Sequence, residues 1–290
     1  MANSIALVKK YVDKLDDVYK LASLTEILES DASTVRQGTN TNEIIIPKID
    51  MDGLADYSRS GGYVNGDDKL TWETVKFDYD RGRAFSVDAM DNEETIGISF
   101  GMLSSRFVRN KVVPEMDAYR FAKYASASGI TVKSEALTTG DGVCSAITAA
   151  NNVLDEAEVD TENRILFITP TLHNAIIALD TYKSKAMLEG FSAVVKVPQT
   201  RFYTAINLLD GKTEGEEIGG YKKATAGKNI NFMIIDKSAV MQFTKHVVNK
   251  VIAPEDNQAA DAWKFFYRAY GLTDVYENRV KGIYCSHSTT

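Results

Sequence analysis

An α+β fold carrying an extended β-ribbon is what the sequence predicts, on three observations. Between residues 43 and 90, strand-like runs flank a long polar loop; from about residue 103 to 122, apolar residues recur at helical steps; and beyond residue 136, helical and strand patterns alternate. A length of 290 residues sets a prior of about two domains and allows a sizeable core without staples. Hydrophobic residues make up 44% and charged residues 25%, the composition of an ordinary globular protein.

The first element is an amphipathic helix in which Val8, Tyr11, Val12, Leu15, Val18, Tyr19 and Ala22 share one face, with Asp16 and Lys20 paired on the other. Ser23 and Glu26 form a capping-box pattern for a short helix over residues 24 to 28. After a loose polar stretch, "EIIIPKIDM" reads as a strand that stops or lies at an edge because of its proline. "DGLADYSRSGGYVNGDD" follows, a long Gly, Asp, Ser and Tyr excursion of the kind that usually has a job.

Residues 75 to 88, "VKFDYDRGRAFSVD", read as a hairpin. Val75, Phe77 and Tyr79 alternate with Lys76, Asp78 and Asp80, Arg81-Gly82-Arg83 makes the turn, and Phe85 and Val87 resume the apolar face. Leu70 and Trp72 are out of phase with Val75, which predicts a bulge or twist near Thr74. An isolated ribbon is marginal in water, so something must cover that apolar face, and the expected cover is another copy of the chain.

The strongest helical signal runs through Leu103, Phe107, Val108, Val112, Met116, Tyr119 and Ala122 and ends at Gly129. Pro114 within it either kinks one helix or starts a new one. Further on, "DGVCSAITAANNVLDEAE" and "TLHNAIIALDTYKSKAM" read as helices, and "NRILFITP" and "INFMIIDKSAV" as buried strands. The glycine-rich "LLDGKTEGEEIGGYKKATAGKN" reads as an exposed loop. Residues 262 to 288 read as a terminal antiparallel pair with turn signals at Gly271 and Asn278.

Chemistry is sparse. His173, His246 and His287 have no partner at ligand spacing, and there is no C-x-x-C or H-E-x-x-H, so no metal or cofactor is expected. Cys144 with His173 as base could make a nucleophile in principle, but Cys144 falls on an apolar helix face where a small buried hydrophobe is the better reading. "TTGDGV" lacks phosphate-loop spacing, "DMDG" lacks the rest of a calcium loop, and "DEAEVDTE" reads as a solvated helix end. No constellation supports an enzyme. Net charge is −7, from 33 basic and 40 acidic residues, which argues against a surface built to neutralise phosphates. Two distant cysteines, Cys144 and Cys285, and a start without the apolar core of a signal peptide point to a reducing cytosol. No apolar run approaches the about 20 residues of a membrane span.

The chain resembles the major capsid proteins of tailed bacteriophages with the Hong Kong ninety-seven fold, particularly members from phages of Firmicutes. The stretches that carry this are "EIIIPKIDMDGLADYSR", "LTWETVKFDYDRGRAFSVDAMDNEET", "VVPEMDAYRFAKYAS" and "DAWKFFYRAYGLTDVYENRVKGIY", and the similarity covers nearly all of the chain. They are idioms of shell packing, with no catalytic signature among them.

The resemblance implies an N-arm at residues 1 to 43, an E-loop at 44 to 92, a peripheral domain at 93 to 135 and 245 to 290 holding a long spine helix, and an α/β axial domain at 136 to 244. It implies a shell subunit that forms hexamers and pentamers, closes an icosahedral phage head around weakly held double-stranded DNA, and is assembled in the host bacterial cytoplasm into the virion. The expected contacts between subunits are Tyr57, Arg59, Tyr63, Trp72, Phe77, Tyr79, Arg81 and Arg83, the two last meeting acidic residues of a neighbour. Asp210, Lys212, Glu214, Glu216 and Glu217 are expected in a loop at the capsomer centre. Unlike relatives with a long N-terminal scaffolding segment, this chain begins its N-arm helix within ten residues of Met1, so scaffold and portal are expected as separate proteins. Some relatives join subunits by Lys-Asn isopeptide bonds; Lys69 and Lys76 lie in the ribbon, but a charged strand face is their ordinary role. The alternatives are a nanocompartment shell of the same fold that packages an enzyme, and a soluble α/β enzyme that would depend on Cys144.

Overall fold

The computed structural model describes residues 23–30, 36–37, 43–90 and 106–289. The amphipathic helix expected over residues 8 to 22, and Leu103 of the long helix, lie outside them.

The body is organised around a five-stranded mixed sheet in the order β5-β13-β10-β6-β7, made of β5 (Thr131–Ser134), β6 (Arg164–Ile168), β7 (Ala193–Lys196), β10 (Ile230–Asp236) and β13 (Ile283–His287). Its central strands are near-continuous apolar runs because both faces are covered. Ile165, Phe167, Met233 and Ile235 point to one face, and Leu166, Ile168, Phe232 and Ile234 to the other. Helices α2 (Gly140–Glu156), α3 (Pro170–Ile177) and α4 (Tyr182–Glu189) cover the second face through Ile147, Leu154 and Ile176. The stretch expected as one helix breaks between α3 and α4, where Asp180 takes φ +44° and the Thr181 hydroxyl caps α4 by accepting from the Ser184 amide.

The long helix α1 (Val113–Ser126) covers the first face with Phe121 and Tyr124. Truncating a ring such as Phe121, which meets Phe167 and Phe202 edge-on, costs about 3–5 kcal/mol in cores of this kind. Pro114 is the second residue of this helix, in its first turn, one of the two expectations for it. A π-turn at Val108–Val112 runs directly into α1, with Phe107 and Val113 both helical. The wider turn sits where proline would otherwise clash with the carbonyl one turn back.

Two further sheets complete the molecule. The body sheet β11-β12-β4 joins β11 (Val240–Ile252), β12 (Ala262–Val275) and β4 (Tyr79–Asp88). The ribbon joins β1 (Arg36–Gln37), β2 (Glu43–Met51) and β3 (Asp68–Lys76) in the order β1-β2-β3. The hairpin expected at 75 to 88 is therefore corrected. β3 pairs with β2 from Lys76↔Glu43 to Asp68↔Met51, whereas β4 pairs with β12, so the chain crosses between sheets at Phe77-Asp78. Arg81-Gly82-Arg83 lies in mid-strand, opposite Ala269, Arg268 and Tyr267. A Cβ at Gly82 would fall 2.8 Å from the Tyr267 carbonyl oxygen, so glycine serves close strand approach there rather than a turn.

The cover of the apolar face is corrected too. Val75 packs with Ile44 and Ile46 against Met241, Phe243 and Leu272 of the same chain, and Tyr79, Phe85 and Val87 pack on Val112, Met116 and Phe265. The expected C-terminal pair is likewise two strands of different sheets: β12 pairs with β11 and β4, β13 with β10 and β5. Gly271 is inside β12, beside an irregularity of β11 at Thr244 to His246.

Candidate functional site

The β2–β3 hairpin extends from the body as a two-stranded arm, and its tip spans residues 52 to 67. Asp52 and Asp67 close the tip: the Asp52 amide donates to the Asp67 carbonyl at 3.2 Å and the Asp67 amide to the Asp52 carboxylate at 2.9 Å. Within it a tight turn pairs Ser58 with Gly62, bringing the Tyr57 and Tyr63 rings to 4.8 Å. Tyr63 is 88% exposed, Trp72 50%, and Met51, Leu54, Val64 and Leu70 are exposed as well. So much apolar surface on one thin arm marks an interaction surface. Midway along its length the arm is tied to the body by a 2.7 Å ion pair from Lys48 to Glu277. Glu73 sits nearby with its pKa raised above the ordinary 4.5, first by burial and then by repulsion from Glu277 and Asp274.

Of the residues expected at subunit contacts, Tyr57, Arg59, Tyr63 and Trp72 lie exposed on this arm. Tyr79 is only 4% exposed and belongs to the chain's own core, and Phe77 stacks on Tyr270 with Lys245 over its ring. On β4, Phe85 and Val87 are half-buried, and Phe85 lines the cleft described below. Arg81 is engaged internally: its Nε donates to Glu115 at 2.8 Å and its Nη2 to the Gly220 carbonyl at 3.2 Å. Arg83 is exposed and donates to the Glu217 carbonyl at 2.9 Å.

Those carbonyls belong to the glycine-rich loop joining β8 (Ile206–Leu208) to β9 (Tyr221–Lys223). The loop carries its own fastenings. Asp210 accepts from the Lys212 and Thr213 amides and the Thr213 hydroxyl, which hold its carboxyl down at about 2. Glu216 accepts from the Asp210 amide and Glu217 from the Gly215 amide, while Lys212 and Glu214 are exposed. Gly211 has φ +72°, and a Cβ there would lie 2.7 Å from Arg83 Nη1, so glycine serves both the left-handed turn and the arginine's approach.

Between β4, the start of the long helix and this loop lies a cleft of about 1000 Å³. Aromatic side chains, among them Phe85, Phe107, Tyr203 and Tyr221, line it, and Arg83, Arg106, Lys111, Lys222 and Lys223 give it a cationic rim. Sequence reading missed this cleft, since its cations come from three separated segments.

Asp117 was also missed as a structural centre. It is fully buried on α1 and accepts from the Ser23 hydroxyl at 3.0 Å, the Thr25 hydroxyl at 2.9 Å, the Leu24 amide at 3.2 Å and Arg201 at 3.2 Å. The expected capping box is thereby corrected: Thr25 precedes a short 3₁₀ turn (Glu26–Leu28) without capping it, and the hydroxyls of Ser23 and Thr25 go to Asp117.

Among the described residues, no three His, Cys, Asp or Glu side chains converge as a metal site, and no helix is long and apolar enough to cross a membrane. Cys144 is half-buried, and burial followed by the nearby Asp141 charge pushes its thiol pKa up, away from nucleophilic thiolate.

A mixed sheet between helices, a long helix beneath it, and a projecting two-stranded arm together make the Hong Kong ninety-seven capsid fold. Solved structures bear this out across the chain. A chain from Gordonia phage Cozz matches with a TM-score of 0.60 at 10% identity, covering 93% of this chain and 87% of that one. The capsid structure of cyanophage P-SCSP1u matches with a TM-score of 0.59 at 13% identity, covering 93% and 89%. A virus-like particle from Pyrococcus furiosus matches with a TM-score of 0.59 at 10% identity, covering 96% and 98%. At such identities the likeness is one of fold. No protein-family model and no curated protein matches the chain.

Proposed function

We propose that this chain is the structural subunit of a tailed-phage head, assembling with copies of itself into hexamers and pentamers that close an icosahedral shell around double-stranded DNA. The observation that carries the reading is the β2–β3 arm: a long ribbon with exposed Leu54, Tyr57, Tyr63 and Trp72, on a fold shared with shell proteins over nearly its full length. The apolar surface of that arm calls for a partner, and a repeated subunit supplies one at every position of a closed shell. In this reading the arm is the E-loop, residues 1 to 43 the N-arm, and the loop from Asp210 to Gly220 faces the capsomer centre. In the same reading the subunit is built into the virion in the host cytoplasm, and the net charge of −7 suits a container that holds DNA without gripping it. A shell subunit needs no catalytic centre.

Negative-stain electron microscopy with size-exclusion chromatography, over a concentration series and with neighbouring genes co-expressed, tests this. Closed shells, tubes or ring-shaped capsomers are expected. A monomer under every condition overturns it.

A second reading, a nanocompartment shell packaging an enzyme, is favoured by one observation: the virus-like particle from Pyrococcus furiosus matches end to end, at 98% of its own length. The contents of shells purified from the native source separate the two, DNA for the head and a protein cargo for the compartment.

A further inference from the structure

We propose that Asn65, in the tip of the arm, is a self-modification site: the chain deamidates there without an enzyme, through the backbone nitrogen of Gly66. The inference stands apart from the shell reading above. "VNGDD" holds the chain's one Asn-Gly pair. Asn-Gly is favoured in two-residue hairpin turns of the type that needs positive φ at both positions. No such turn accounts for it here. Neither Asn65 nor Gly66 has positive φ, and the tight turn of the tip lies elsewhere, at Ser58 to Gly62. Close packing does not account for it either, since a Cβ at Gly66 would meet only the Cβ of Asp52, at 3.7 Å, an ordinary contact. What glycine supplies at position 66 is an unobstructed approach to its own nitrogen.

Both reacting groups are open. Asn65 and Gly66 are exposed and precede β3, and neither the Asn65 side chain nor the Gly66 amide makes a hydrogen bond among the described residues. Other asparagines are the contrast. Asn163, Asn231 and Asn257 donate their side-chain amides to Asp160, the Glu135 carbonyl and the Ala262 carbonyl, and each is followed by a residue with a side chain. The reaction balances with water as its only co-reactant. The Gly66 nitrogen gives up its proton to solvent base and attacks Cγ of Asn65. The new N–Cγ bond closes a five-membered succinimide, the Cγ–Nδ2 bond breaks, and Nδ2 takes a proton from solvent and leaves as ammonia. Water then opens the ring. Opening at the side-chain carbonyl leaves aspartate at position 65, and opening at the backbone carbonyl leaves isoaspartate, whose chain path is one methylene longer. Either product adds a carboxylate to a stretch, residues 50 to 68, that already has five aspartates against one arginine. Isoaspartate also lengthens the backbone beside the hydrogen bonds that join Asp52 to Asp67. The result is a one-way change in the charge and shape of the tip.

The test uses the unassembled full-length chain from size-exclusion chromatography, incubated in mildly alkaline buffer and sampled by peptide mass spectrometry that separates aspartate from isoaspartate. Loss of ammonia is expected at Asn65 ahead of Asn163, Asn231 and Asn257, with both products formed and the rate rising with pH. Hydroxylamine, which opens a succinimide, is expected to cut the native chain into residues 1–65 and 66–290. An Asn65 that stays intact, or reacts no faster than those three, overturns the site. Aspartate without isoaspartate, or no hydroxylamine cut, indicates direct hydrolysis and overturns the route. Gly66→Ala tests the nitrogen. Backbone and space at position 66 both accept alanine, so the variant should melt as wild type does and deamidate about tenfold more slowly, a barrier higher by about 1.4 kcal/mol. Deamidation of that variant at the wild-type rate overturns the role of Gly66. The isoaspartate and hydroxylamine readouts need no variant, so they decide the matter if alanine disturbs the tip.

Discussion

Asp117 shows how much one side chain organises here. Its carboxylate joins the segment at residues 23 to 25, the long helix and Arg201, and Arg120 on the next turn donates to the Thr25 hydroxyl at 2.8 Å. Asp117→Ala would leave the guanidinium of Arg201 and several donors without their acceptor, and a loss of about 3 kcal/mol is expected, read as a lowered urea midpoint. Glu73 gives the opposite sign. Its folded pKa lies above 4.5, so the charged form opposes folding at neutral pH and the protonated form does not. Glu73→Gln should therefore raise the melting temperature at pH 7, and this gain should fade as pH falls below 4.5, where the native glutamate is protonated in both states. Equal gains at pH 7 and pH 4 would refute the assignment.

At the scale of elements, the arm and the body are separable. The arm's root is fixed by Ile44, Ile46 and Val75 on Met241, Phe243 and Leu272, whereas the tip touches little of the body. Replacing residues 52 to 67 by Asn-Gly, a two-residue turn suited to a hairpin, should leave the melting temperature of the subunit within a few degrees of wild type and abolish assembly in size-exclusion chromatography. A large loss of stability instead would show that the tip belongs to the subunit's own fold. The long helix, too, is one element despite Pro114, because the π-turn at Val108–Val112 absorbs the proline.

Over the whole molecule, chain order and spatial order part company. β13, near the C-terminus, lies between β10 and β5 in the central sheet, and β4, from the root of the arm, closes onto β12 across the body. Such long-range pairings, with the Arg81–Glu115 ion pair between β4 and the long helix, tie the arm's root and the body together.

The sequence alone determined what local chemistry can specify. Continuous apolar runs located β2, β6 and β10, a 3.6 period located the long helix, the glycine and aspartate content of the tip and of the loop after Leu208 marked both as excursions, and idioms such as "VVPEMDAYRFAKYAS" pointed to the fold. Only the tertiary structure decided partners. The alternation of residues 75 to 88 reads equally well as a hairpin or as two strands of different sheets, since a period of two states which face is apolar and says nothing about which strand lies alongside. For the same reason the cover of Tyr79, the destination of the Ser23 and Thr25 hydroxyls, and the gathering of Arg83, Lys111 and Lys222 around one cleft were not legible: each depends on contacts between residues far apart in the chain, which side-chain periodicity does not encode.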